Sequence, residues 1–131
     1  MRIFALNEHH LLDDVDSIKV PYGVDNISVD KNGDLYAASF PQVYKWMQSS
    51  KKPFDVNCPS TIFKIHKGEA GWKVRGEKKR VVEDGGYEIE KVVEDDGSTL
   101  PGSTIAVHDV ETGRIFLGGA VSPYITICET R

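Results

Sequence analysis

The stretch Val24-Asp25-Asn26-Ile27-Ser28-Val29-Asp30-Lys31-Asn32-Gly33-Asp34-Leu35-Tyr36-Ala37-Ala38 decides the fold. Ile27, Val29, Leu35 and Ala37 recur at a period near two, the alternation of a strand that buries one face. Between them Asp30-Lys31-Asn32-Gly33-Asp34 carries an Asn-Gly turn signal, so the stretch reads as a β-hairpin. The same five residues invite an EF-hand reading, but the spacing fails. Glycine stands fourth rather than sixth, and Pro41 stands where the bidentate Glu should be.

Working outward, the apolar pattern stays short and alternating. Strands are predicted at Met1 to Leu6, Asp16 to Val20, Thr61 to His66, Tyr87 to Val93, Ser103 to Val107, Arg114 to Gly119 and Tyr124 to Cys128. Asp84-Gly85-Gly86, Asp96-Gly97 and Thr112-Gly113 punctuate them. The one helix-compatible stretch is Val43 to Ser50, and the chain reads as all-β. A weak repeat runs through it. Ile27-Ser28-Val29, a Gly turn and Leu35-Tyr36-Ala37-Ala38 resemble Ile105-Ala106-Val107, a Gly turn and Ile115-Phe116-Leu117-Gly118. A third strand follows each copy. A hairpin with further outer strands, repeated, is how a propeller blade reads. The copies lie about 80 residues apart, longer than the roughly 40–50 of a compact blade. Polar insertions at Gln42 to Ser60 and Lys67 to Gly86 account for the excess.

The predicted organisation is therefore the outer strands of one blade over 1–22, a full blade over 23–95 and an incomplete blade over 96–131. Propellers are closed rings of at least about four blades. The expectation is a fragment of such a ring, an assembly of copies through open strand edges, or a smaller β fold.

Composition narrows the function classes. Of 131 residues, 40% are hydrophobic and 27% charged, ordinary values for a globular domain. The net charge is −4, with 16 Lys and Arg against 20 Asp and Glu, which argues against a nucleic-acid footprint. The basic cluster Lys78-Lys79-Arg80 sits beside Glu77, Glu83 and Asp84 and reads as a solvated loop. No apolar run reaches the roughly 18 residues of a membrane span. Met1 to Leu6 is too short for a signal-peptide core, so no export or anchoring signal is visible and no compartment is assigned. Cys58 and Cys128 form no disulfide framework. They read as free thiols, or as one thiol that pairs with a segment not in this chain.

Val24-Asp25-Asn26-Ile27-Ser28-Val29-Asp30 with Gly33-Asp34-Leu35 resembles a motif of the paraoxonase/arylesterase family. The resemblance continues through Gly97-Ser98-Thr99-Leu100-Pro101-Gly102-Ser103-Thr104-Ile105-Ala106. It ends with Gly119-Ala120-Val121 and Tyr124-Ile125-Thr126-Ile127-Cys128-Glu129. It spans nearly the whole chain, in order, and corresponds to the C-terminal third of a six-bladed propeller. It implies a Ca²⁺-dependent esterase or lactonase acting on small aryl esters or lactones. Asp25 and Asn26 match two ligands of the catalytic Ca²⁺, a hard cation suited to carboxylate and carboxamide oxygens. The implied ion polarises the ester or lactone oxygen. Val121 matches a substrate-pocket position, and Cys128 a cysteine that ties the last blade to the N-terminal strand. The family's other Ca²⁺ ligands and its histidine base lie upstream and have no counterpart here. His66 and His108 stand at other motif positions, and Ser39-Phe40 replaces a Cys-His pair. Weak or no Ca²⁺ binding is expected of this chain alone.

Blander readings stand beside these. Asp-Asn before a β-branched strand is commonly a turn that accepts local backbone hydrogen bonds. His9-His10 reads as loop histidines. Ser103 lacks the Gly-x-Ser-x-Gly elbow and reads as a polar residue opening an inner strand. Trp46 and Trp72 read as rim contacts or loop packing. The alternatives to the hydrolase are a non-catalytic propeller interaction module and an inactive truncated remnant.

Overall fold

A computed structural model describes residues 1–68, 81–83 and 86–129. Among these residues ten strands form three antiparallel sheets, with one short helix beside them, so the all-β expectation holds. The loop cluster Lys78-Lys79-Arg80 and Trp72 lie outside the described residues.

The first sheet is a hairpin of β1 (Arg2–Leu6) and β2 (Leu12–Ser17). Asn7 shapes its turn, its Oδ1 accepting from the backbone N–H of His9 at 3.0 Å and of Leu11 at 2.9 Å. His9 and His10 are the exposed residues of that turn. The second strand starts earlier than the predicted Asp16 to Val20. The acidic run Asp13-Asp14-Val15-Asp16 has partners for its charge, for Arg2 pairs with Asp14 and Asn7 Nδ2 donates to Asp13.

The central sheet has the order β3 (Gly23–Val29), β4 (Leu35–Phe40), β5 (Ser60–Lys67), β7 (Tyr87–Asp95), β6 (Val81–Glu83). The β3–β4 hairpin closes as predicted. Asp30 Oδ1 accepts from the N–H of Asn32 at 2.9 Å and of Asp34 at 3.0 Å. Gly33 adopts φ +84°, a region open to glycine at no steric cost. Helix α1 (Val43–Ser49) follows β4. Strand β6 was not foreseen, because it falls inside the stretch taken as a polar insertion. It is a three-residue edge that forms by pairing with β7.

The third sheet has the order β10 (Thr126–Glu129), β9 (Arg114–Gly118), β8 (Ile105–Asp109). Pairing corrects the phase of the sequence repeat. Ser28 stands opposite Tyr36, but Ala106 stands opposite Leu117 and Val107 opposite Phe116. Ser28 is therefore the structural counterpart of Val107, not of Ala106. Seven residues separate Ser28 from Tyr36 and eight separate Val107 from Phe116, which shifts the alternation by one.

Two apolar clusters hold the three sheets in a stack. One face of the central sheet gives Tyr36, Ala38 and Ile62, which pack with Ala106, Ile115 and Leu117 of the third sheet and with Leu100. The opposite face gives Ala37, Phe63, Ile65 and Ile89, which pack under Ile18 with Met1 and Ile3 around it.

Candidate functional site

Asp25 and Asn26 occupy a β-bulge. Val24 pairs with Ser39 and Ile27 with Ala37, so the two residues together stand opposite Ala38 alone. Neighbours in a regular strand point to opposite faces. A bulge re-aims side chains locally, and here it brings the two together, with Asn26 Nδ2 donating to Asp25 Oδ1 at 3.2 Å. The bulge is fastened to the third sheet at Thr104. The carbonyl of Thr104 accepts from Asn26 Nδ2 at 2.9 Å and from the Asn26 backbone N–H at 3.2 Å. Both carboxamide protons are thus engaged, and the carboxamide oxygen is the atom of Asn26 left for a cation. The two residues are exposed.

Beside the pair lies an open concavity of about 310 Å³ lined by Gly23, Val24, Asp25, Phe40, Val43 and Trp46. Helix α1 supplies Val43 and Trp46, and the end of β4 supplies Phe40. The Phe40 and Trp46 rings tilt against each other at 5.6 Å between centroids. Trp46 is thus a rim contact, lining the same hollow as Asp25. Its buried Nε1 has no hydrogen-bond partner among the described residues. Val121 is elsewhere. It sits half-buried in the loop from β9 to β10 and is not among the residues lining this hollow. That loop is braced by Ser122 Oγ donating to the carbonyl of Pro101 at 2.5 Å.

At the far end of β3 the two sheets meet through charge. His108 Nδ1 and Asp30 Oδ2 are 2.8 Å apart, with the Asp30 side chain fully buried. The His108 ring stacks on Tyr36 at 4.8 Å between centroids. Burial works to raise the Asp30 pKa. The hydrogen bonds from His108 and the N–H groups of Asp34 and Asn32 outweigh it and hold the carboxyl below its usual 3.8. Tyr36 is pushed up to about 12 by burial and by the charges of Asp30, Asp34 and Glu90. Asn26 with Thr104, Ser28 with Ala106 and Asp30 with His108 are each 78 residues apart. Strands β3 and β8 therefore run side by side in the same direction. Sequence reading found the repeat near that spacing but not the Asp30–His108–Tyr36 contact, because nothing local to His108 announces a buried partner.

Other singled-out residues have structural partners. Ser103 Oγ donates to the carbonyls of Ile105 at 3.0 Å and Gly118 at 3.1 Å. His66 lies 3.3 Å from Glu88. Cys58 and Cys128 are free thiols, each raised in pKa, by burial first.

Asp25 and Asn26 offer hard oxygen donors of the type Ca²⁺ takes, but Ca²⁺ takes about 6–8 of them. Among the described residues no group of three or more His, Cys, Asp or Glu could hold a metal ion. No helix of the described residues is long and apolar enough to cross a membrane. No protein-family model matches the chain, and no curated protein matches it either.

Proposed function

We propose that this chain is part of a β-propeller hydrolase, a Ca²⁺-dependent esterase or lactonase in which it supplies Asp25 and Asn26 to the cation site. The observation that carries the reading is the bulge, which sets a carboxylate and a carboxamide side by side at the rim of an apolar hollow. Such a hollow suits the apolar part of a small ester or lactone. Phe40, Val43 and Trp46 would hold that part by contact, and Asp25 would lie at its polar end. The layered sheets support a propeller, since each buries one face on the next, as repeat units must. The remaining cation ligands and the proton-transfer group come from outside this chain.

The test is hydrolysis of phenyl acetate by the complete protein with and without Asp25→Ala. The variant is expected to lose activity and calcium dependence together. Unchanged hydrolysis would remove the assignment. The isolated chain at low concentration is expected to bind Ca²⁺ only weakly, and micromolar affinity by titration calorimetry would contradict an incomplete site.

A second reading has its own observation. Asp25, Asn26 and Thr104 satisfy one another by hydrogen bonds, as a structural tie between sheets would. In that case the chain is a non-catalytic interaction module. Asn26→Ala would then lower stability while no cation dependence of any kind is found.

A further inference from the structure

We propose that copies of this chain close head to tail into a ring, the free edge of β10 in each copy pairing with the free edge of β2 in the next. The plan of the central sheet, β3-β4-β5-β7-β6, carries the argument. In that sheet β7 lies against β5 and leads along the chain to β8, the first strand of the following sheet. The third sheet repeats the first three places with β8, β9 and β10, and has no strand beyond β10 among the described residues. The first sheet repeats the last two places. Its β2, like β7, leads to the first strand of the following sheet, and β1 flanks β2 as β6 flanks β7. Three strands and two strands make one sheet of the central plan, with β10 and β2 as the edges that would meet. Unpaired edges are templates for added strands.

The uncovered side chains agree. Ile27 and Val29 are 41% and 63% exposed. Through their pairing with Ala37 and Leu35 they share the face that Ile18, Met1 and Ile3 cover elsewhere. The first sheet leaves them bare. On the third sheet, Ile105, Val107 and Ile127 are 37%, 47% and 55% exposed and lie on the face turned from the core residues Ala106 and Leu117. Val107 and Phe116 are the counterparts of Ser28 and Tyr36, whose face meets the following sheet. This bare face is thus the one that fits a following sheet. Once β10 extends the first sheet of the next copy, it lies over that copy's Ile27 and Val29. The new contact continues the stacking already present within the chain.

Such a head-to-tail contact either closes into a ring or runs on as a filament. Each copy then contributes two five-stranded sheets, and rings of sheets need at least about four. The ring therefore holds two copies or more, and the pairing rests on the strand edges and the bare faces, not on the proposed cation role of Asp25 and Asn26.

The test is sedimentation equilibrium of the purified chain in chelator, so that a failed cation reading and a failed assembly are told apart. The expected mass is one fixed multiple of the chain, two or more. Ile127→Asp and Ile27→Asp, on opposite sides of the contact, are each expected to return it to one chain with the far-ultraviolet β spectrum kept. Exposed residues without a partner would leave the mass unchanged. Should either variant misfold, hydrogen exchange on the wild-type chain reads the same contact: amides of β10 and β2 exchange slowly when concentrated and fast on dilution. A one-chain mass, a mass that grows without limit on concentration, a several-chain mass that neither folded variant alters, or edges that exchange alike at all concentrations, overturns the proposal.

Discussion

Asp30 shows how one side chain can join two sheets. Its carboxylate closes the β3–β4 turn through two backbone N–H groups and reaches His108 of the third sheet. Hydrogen bonds to charged groups contribute roughly 1.5–3 kcal/mol. His108→Ala is therefore expected to lower stability by about 2–3 kcal/mol, read from urea unfolding, with a smaller loss in His108→Asn if the carboxamide reaches Asp30. The folded pKa of Asp30 lies below its unfolded 3.8. Its contribution is present above that value and is lost as pH falls through the folded pKa, so acid unfolding below about pH 4 should flatten in His108→Ala. Tyr36 acts at the other extreme. Its pKa of about 12 lies above the ordinary 10.0. The stability it supplies is complete below pH 10 and is lost as pH rises towards 12. Tyr36→Phe should remove that alkaline loss. Sequence reading singled out Asp25 and Asn26 but not this second cluster. A polar pair before a strand is visible in one dimension, whereas a partner 78 residues away is created only by stacking.

At the scale of elements, alternation made most strands legible. β8 and β9 bury one face and are marked by period-two apolar residues, whereas β4 and β5 bury both faces and are marked by the short runs Leu35-Tyr36-Ala37-Ala38 and Ile62-Phe63. The acidic β2, which was misplaced, is largely exposed and takes its order from pairing with β1, and the missed three-residue β6 is defined by its pairing with β7. The bulge was illegible for a related reason, since one extra residue shows only against the partner strand. The hairpin turn was legible through Gly33. A Cβ at Gly33 would meet nothing within 4 Å, so only its positive φ opposes replacement. Gly33→Ala should cost about 1 kcal/mol, and Gly33→Asn less, measured as a shift in the unfolding midpoint. A larger cost belongs to Leu117, fully buried between the third and central sheets. Leu117→Ala is expected to cost about 2–5 kcal/mol and to raise hydrogen exchange in β8 and β9 before β4 and β5.

For the whole molecule, stability should depend on how much chain is present. If the bare faces are closed by other copies, association stabilises the folded state by mass action. The urea midpoint then rises with chain concentration, and Ca²⁺ affinity rises with it, because ligands from several copies meet. A midpoint independent of concentration would mean that the stack stands alone. The division of strands also has a consequence for engineering. The polypeptide runs out of phase with its own sheets by two strands, β1 and β2 belonging in plan beyond β10. A circular permutant that starts at residue 23 and joins Glu129 to Met1 through a short linker would bring the chain back into phase. It would hold two whole sheets on one molecule and seal within itself the seam that the natural order leaves to a neighbour.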